Sequence, residues 1–152
     1  MSAQYGLGAQ PLHTDGAHLR TPPDVVVLYS ATPNSTPTLI WSGTKQSLTS
    51  WHPEFAQVGV FTVRNGRESF LASAAEGTRI RFDPACMSPA DGLARQAADY
   101  FSALPATAHL WDRPDKLLII NNRLCLHARA ALEPGDESRA VERLTFAWSQ
   151  SS

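Results

Sequence analysis

What the chain has little of narrows it before any motif does. No apolar run approaches the roughly 18 residues that a membrane-crossing helix needs. The longest, Val25 to Tyr29 and Leu117 to Ile120, are strand-sized. An excess of charge is lacking too, with 13 basic residues against 14 acidic ones in 152. Proteins that live on nucleic acid or anionic membranes run on a basic excess, so neither partner is expected. The first residues, Met1 to Gln10, carry neither a basic stretch nor an apolar core, so no signal peptide is read there. Two cysteines, Cys86 and Cys125, form no Cys-x-x-Cys pair and are too few for a disulfide framework. Two free thiols fit a cytoplasmic protein. Repeats, charge blocks and low-complexity tracts are also missing.

What remains is a globular balance, 43% apolar and 18% charged, at a length that fits one domain over residues 1–152. Eleven prolines and nine glycines imply many short elements with hard stops. Strand-like patterns dominate. Val25 to Ala31 is apolar and β-branched, follows Pro22-Pro23 and stops before Pro33. Thr38 to Ser42 is a second run. Val58 to Arg64 and Glu68 to Ser73 flank Asn65-Gly66, a strong hairpin signal. Thr78 to Phe82, Thr107 to Trp111, Lys116 to Asn121, Leu124 to Ala128 and Arg143 to Trp148 complete the set. One helix stands out. Ser88 reads as its cap, Pro89 as its first residue and Asp91 as the answer to the cap. Leu93, Ala97, Tyr100, Phe101 and Leu104 then recur at helical spacing until Pro105. A shorter helix fits Thr44 to Trp51. About eight strands with one main helix point to an antiparallel barrel or sandwich.

The chemistry concentrates at two places. His13-Thr14-Asp15 sets an imidazole and a carboxylate two residues apart, on one face if the segment is a strand. Alone this is weak, since this composition gives about 0.5 chance matches to such a spacing. The second place is Asn121 to Arg129, which holds His127 on an apparent strand, with Arg139 and Arg143 beyond it. Two histidines and one carboxylate form the facial triad of non-haem Fe(II) oxygenases, which leaves three coordination positions open. A downstream arginine offers a planar fork for a carboxylate.

On these residues the sequence resembles the TauD/TfdA family of Fe(II)/2-oxoglutarate-dependent dioxygenases, within the clavaminate-synthase-like superfamily. The resemblance rests on Pro-Leu-His-Thr-Asp-Gly followed by Thr-Pro-Pro and an apolar strand (Pro11 to Tyr29). It continues through Thr38 to Trp41, through Ile80 to Asp83 ahead of a helix, and through Pro114 to Arg129 with Arg139 and Arg143 following. It implies a double-stranded β-helix (jelly-roll), N-terminally reduced, with one main helix outside. It implies Fe(II) on His13, Asp15 and His127. Arg139, with Thr38 assisting, would hold the distal carboxylate of 2-oxoglutarate, and Arg143 would lie close by, toward the cosubstrate or an anionic substrate group. The choice between the two arginines stays open. With O₂, the implied reaction releases succinate and CO₂ and hydroxylates a small molecule, amino-acid-like or a natural-product metabolite. A halide-binding variant is disfavoured because Asp15 is present.

Only 12 residues precede His13, where the family carries a substantial region. A minimal form, a piece of a longer protein and a subunit completed by another chain are the alternatives. A missing edge strand invites pairing, so a homodimer or a partner subunit is expected. A non-catalytic metal- or ligand-binding jelly-roll module, or a subunit of a larger oxygenase assembly, is the rival reading. His18, His52 and His109 read as solvent-facing or core histidines, with His18 the nearest to a pocket. Arg129 reads as a structural salt-bridge former. Cys125 shares strand parity with His127, either as a packed small side chain or as a thiol beside the metal.

Overall fold

A computed structural model describes residues 2–43 and 52–148. The short helix expected around Thr44 to Trp51 lies outside the described residues. The elements run α1 (Ser2–Tyr5), β1 (Gln10–His13), β2 (Val25–Ser30), β3 (Thr38–Ser42), α2 (Glu54–Val58), β4 (Phe61–Asn65), β5 (Glu68–Ala72), β6 (Ala75–Glu76), β7 (Arg79–Ile80), β8 (Met87–Pro89), α3 (Gly92–Ser102), β9 (Thr107–His109), β10 (Lys116–Asn121), β11 (Cys125–Arg129) and β12 (Glu142–Phe146).

Among the described residues every strand pairing is antiparallel. One sheet has the order β1-β11-β3-β9, a second β10-β2-β12, a third β5-β4-β8, and β6 pairs with β7. The first two face each other. Val26, Leu28 and Ile120 from one meet Trp111, Ile40 and Cys125 from the other side of the gap. Period-2 alternation sends the other faces elsewhere. Leu39, Trp41, Leu126 and Ala128 look away from the gap into the larger core, built with Phe61, Val63, Phe82, Met87 and the buried face of α3 (Ala94, Ala97, Phe101). The result is the expected mainly-β jelly-roll core with one long helix outside it. His127 and Thr38 fall on the gap side by the same parity.

Local chemistry moved several boundaries. Ser88 and Pro89 do not open the helix. They lie in β8, paired with Thr62 and Phe61. Asp91 is the cap, its carboxylate accepting from the Ala94 N–H at 2.7 Å. The second Asp91 oxygen accepts from Val60 N–H at 3.1 Å, so the cap also ties α3 to the residue that leads into β4. Leu93 faces solvent rather than the core. Val58 ends α2 instead of starting a strand. At Gly59 a Cβ would lie 2.6 Å from both Ala94 N and Phe55 O, so only glycine lets α2 and α3 approach this closely. The described strands outnumber the eight or so expected, because the bulged β1 and the very short β6 and β8 carry too little pattern to read, while the run expected from Thr78 to Phe82 keeps only Arg79–Ile80 as a strand.

Candidate metal centre

His13 ends β1 opposite His127 of β11, and their ring centroids stand 4.3 Å apart. A register shift between Gln10 and His13 re-aims the end of β1. Asp15 does not continue that strand, as simple alternation would have it. It sits in a turn where Gly16 adopts φ +68° and packs so close to Pro23 that a Cβ would lie 2.7 Å from its Cδ. The turn is clamped from several directions. Asn122, fully buried, accepts from Asp15 N–H at 3.0 Å and donates to the Asp15 carbonyl at 3.0 Å and the Pro23 carbonyl at 2.7 Å. Thr14 donates to Ile80 C=O and accepts from Phe82 N–H. Arg81 donates to the carbonyls of Ala17, Leu19 and Arg20. The Ile80 to Asp83 segment therefore shapes the turn that carries Asp15.

These constraints bring one ligand atom each from His13, Asp15 and His127 within 4.8 Å of one another, all three residues buried. The donor set fits a divalent cation. His13 Nδ1–H donates to Pro11 C=O at 2.9 Å, which leaves Nε2 as the lone-pair nitrogen, with the Gln10 amide 3.3 Å from it. His127 Nδ1 is buried without a hydrogen-bond partner. Burial, then the charges of His13 and Arg143, hold the His127 pKa well below the imidazole range, so the ring is neutral, the form a metal takes. The Asp15 carboxylate supplies the anion. Arg143 Nη1 pairs with its Oδ1 at 2.5 Å.

A cavity of about 330 Å³ opens beside the cluster, lined by Thr38, Arg139 and Arg143 together with His13, His127 and Arg129. All six sequence candidates thus meet at one place. They differ in how they are engaged. Arg139 Nε donates to Asn34 Oδ1 at 3.0 Å, and no carboxylate pairs with Arg139 among the described residues. Burial, then the Arg129 charge, lowers its pKa, with Asp136 opposing. An arginine in this setting is an incompletely compensated cation facing a cavity. Thr38 Oγ1 accepts from Trp111 Nε1–H at 3.1 Å, which leaves the hydroxyl hydrogen to donate. Among the described residues Arg129 has no salt-bridge partner. It donates to the carbonyls of Gly6 and Gly8 and staples the start of the chain to β11.

Sequence reasoning assigned no role to Asn122, Asn34, Gln10 or Asp83. Asp83 is a second buried carboxyl close to the cluster, its pKa raised mainly by desolvation against the Ala85 N–H it accepts. His18, expected near the pocket, does not line the cavity. Cys125 packs between the two sheets, in keeping with a small core side chain. A larger cavity, about 460 Å³, lies against Arg20, Phe70, Arg79 and Arg81. Two of its arginines are already engaged in hydrogen bonds, Arg79 with Asp24 and the Pro22 and Pro23 carbonyls and Arg81 with the turn, and Arg20 lies over the Phe70 ring. Among the described residues it contains no metal-ligating cluster.

The fold that carries the buried His-Asp-His cluster is similar to that of solved non-heme iron oxygenases. No family model matches the chain, and no curated protein matches it. Solved structures do. An asparagine oxygenase in complex with Fe(II), 2S,3S-3-hydroxyasparagine and succinate superposes with a TM-score of 0.74 at 17% identity, over 93% of this chain and 51% of that one. The non-heme iron oxygenase OrfP in complex with Fe gives 0.73 at 19%, over 95% and 52%. OrfP with Fe and alpha-ketoglutaric acid gives 0.69 at 20%, over 90% and 48%. The chain spans about half the length of these neighbours. No helix among the described residues is long and apolar enough to cross a membrane.

Proposed function

We propose that this chain carries the catalytic core of an Fe(II)- and 2-oxoglutarate-dependent oxygenase that hydroxylates a small amino-acid-like molecule. One observation carries the reading: a buried His13–Asp15–His127 cluster opens onto a cavity lined by arginines. His13, Asp15 and His127 would hold Fe(II). With 2-oxoglutarate and O₂, bound iron supplies the oxidising chemistry that ends in succinate, CO₂ and a hydroxylated product. The protein's part is placement. Arg139 takes the distal carboxylate of 2-oxoglutarate, because its side-chain partner Asn34 is neutral. Thr38 donates its free hydroxyl hydrogen to the same carboxylate. Arg143, already on Asp15, fixes that carboxylate's orientation and offers its half-exposed outer edge to an anionic group of the substrate. The asparagine oxygenase complex supports an amino acid as the substrate class.

The reading extends to one TauD/TfdA-like domain over residues 1–152, acting in the cytoplasm, with a second copy or a partner subunit completing the cover. Anaerobic visible-absorption titration with Fe(II) and then 2-oxoglutarate tests it. A charge-transfer band that needs both, and is absent in His127→Ala, is the expected result. No band from folded protein would sink the complete-site reading. A rival reading, a metal-binding module without turnover, draws on one observation: all five residues of β12 are exposed beside the cavity, so solvent is poorly excluded. Substrate-dependent succinate release separates the two.

A further inference from the structure

The sheet β10-β2-β12 has two unlike faces. Its inner face carries Leu118, Ile120, Val26, Leu28 and Arg143 toward the gap. Cross-strand register sets the outer face in three rows: Leu117-Tyr29-Glu142, Ile119-Val27-Leu144 and Asn121-Val25-Phe146. Leu117, Ile119, Leu144 and Phe146 are each more than half exposed, and so is Trp148, two residues past Phe146. The other exposed large hydrophobic residues, such as Leu7, Leu71 and Leu110, belong to separate elements and loops. Exposed apolar side chains scattered singly need no explanation, whereas a contiguous sheet face does.

We infer that this outer face is the docking surface for a second copy of the same chain, packed face to face about a two-fold axis. Two observations favour that occupant. First, area. Large side chains offer roughly 150–250 Å² each, so five that are more than half exposed leave on the order of 500 Å² of apolar surface. Val25, Val27, Tyr29 and the strand ends bring the face near the roughly 800 Å² per partner of a stable interface. Second, charge. The nine residues of the three rows include one ionised side chain, Glu142, at a corner. A two-fold packing therefore juxtaposes no like-charge rows, and the whole chain is nearly neutral at −1. The consequence for the cavity is direct. Arg143 projects from the inner face of β12, so a partner lying on the outer face stiffens the strand that carries it and restricts water from that side. That consequence rests on the oxygenase reading; the dimer itself does not.

The test uses the full chain in analytical ultracentrifugation over about 1–100 µM, beside Ile119→Glu and Leu144→Lys. The expected result is a reversible dimer of wild type, weakened on the order of 100-fold by either charge, with unchanged far-UV circular dichroism. Should the charged variants fail to fold, Ile119→Cys replaces them. It should give a disulfide-linked dimer on mild oxidation, while Leu71→Cys, exposed on another sheet, should not. A chain that stays monomeric at 100 µM overturns the inference, whether its face is then covered by a different protein or left open. A dimer indifferent to both charges overturns it as well. Fe(II) titration of the same samples reads the metal site separately, so a monomer that binds iron, or a dimer that does not, shows which of the two ideas has failed.

Discussion

The two sides of the cavity are built to different standards. On the side of the candidate metal cluster, His13, Asp15 and His127 are buried, and the turn that carries Asp15 is gripped by Asn122, Thr14 and Arg81. On the anion side, Arg139 and Arg143 come from the connection after β11 and from a strand with no buried residue. Each holds its place through a single polar side-chain partner, Asn34 or Asp15. A ligand set must converge to tenths of an ångström, because coordination distances tolerate little else. A guanidinium reaching for a carboxylate needs only to lie within reach, since it can adjust through several rotatable bonds. Rigidity is placed where the chemistry requires it.

That contrast can be broken or sharpened by substitution. The largest effect is expected from His127→Ala, which should weaken Fe(II) binding on the order of 1000-fold by calorimetry, since two protein ligands cannot form the triad. Next comes Arg139→Gln. It should weaken 2-oxoglutarate about 10- to 100-fold, the worth of a charge-assisted pair, while Fe(II) affinity holds. Loss of iron in that variant would erase the distinction between the two sides. Asn122→Ala should cost about 2–4 kcal/mol in denaturant unfolding, because it strips partners from a buried N–H and a buried C=O. It should also weaken Fe(II) roughly 10- to 100-fold with 2-oxoglutarate affinity measured at saturating iron unchanged. Thr38→Val should be the mildest of the substitutions, a few-fold on 2-oxoglutarate alone, about one neutral hydrogen bond.

A pH scan of metal-free protein probes the metal side again. Unfolded, an imidazole takes its proton near pH 6.5, whereas burial keeps folded His127 neutral to well below that. On acidification the unfolded chain binds more protons. Stability present above about pH 6.5 is therefore lost as the pH falls below it, by up to about 1.4 kcal/mol per unit until the folded group titrates. Thermal melts of wild type should drop more steeply from pH 7 to 5 than those of His127→Gln.

Much of this was legible from local pattern. Alternation marked Val25–Ser30, Thr38–Ser42 and Lys116–Asn121 closely, and Asn65-Gly66 marked the β4–β5 hairpin. The proposed ligand residues stood out because their signal is local spacing joined to family-like flanks. What could not be read depends on partners far along the chain. Asp15 reaches the cluster through a glycine turn held by Asn122, not through strand parity. Asn34 looked like a loop residue until Arg139 folded onto it. Asp91 out-competed Ser88 for the helix cap because β4 claimed Ser88 and Pro89 first. Five-residue α2 is too short to show a period.

The Asp15–Asn122 and Asp15–Arg143 bonds span 107 and 128 residues of sequence. Closing loops of that length costs entropy before any contact repays it, and topologies dominated by such contacts fold slowly. A ribosome delivers His13 and Asp15 long before Asn122, His127 and Arg143, at separations from Asp15 of 107 residues for Asn122 and 128 for Arg143. Under the proposed function, an iron site would assemble only after the later segment has emerged, so iron would join a cluster that the fold has already drawn together.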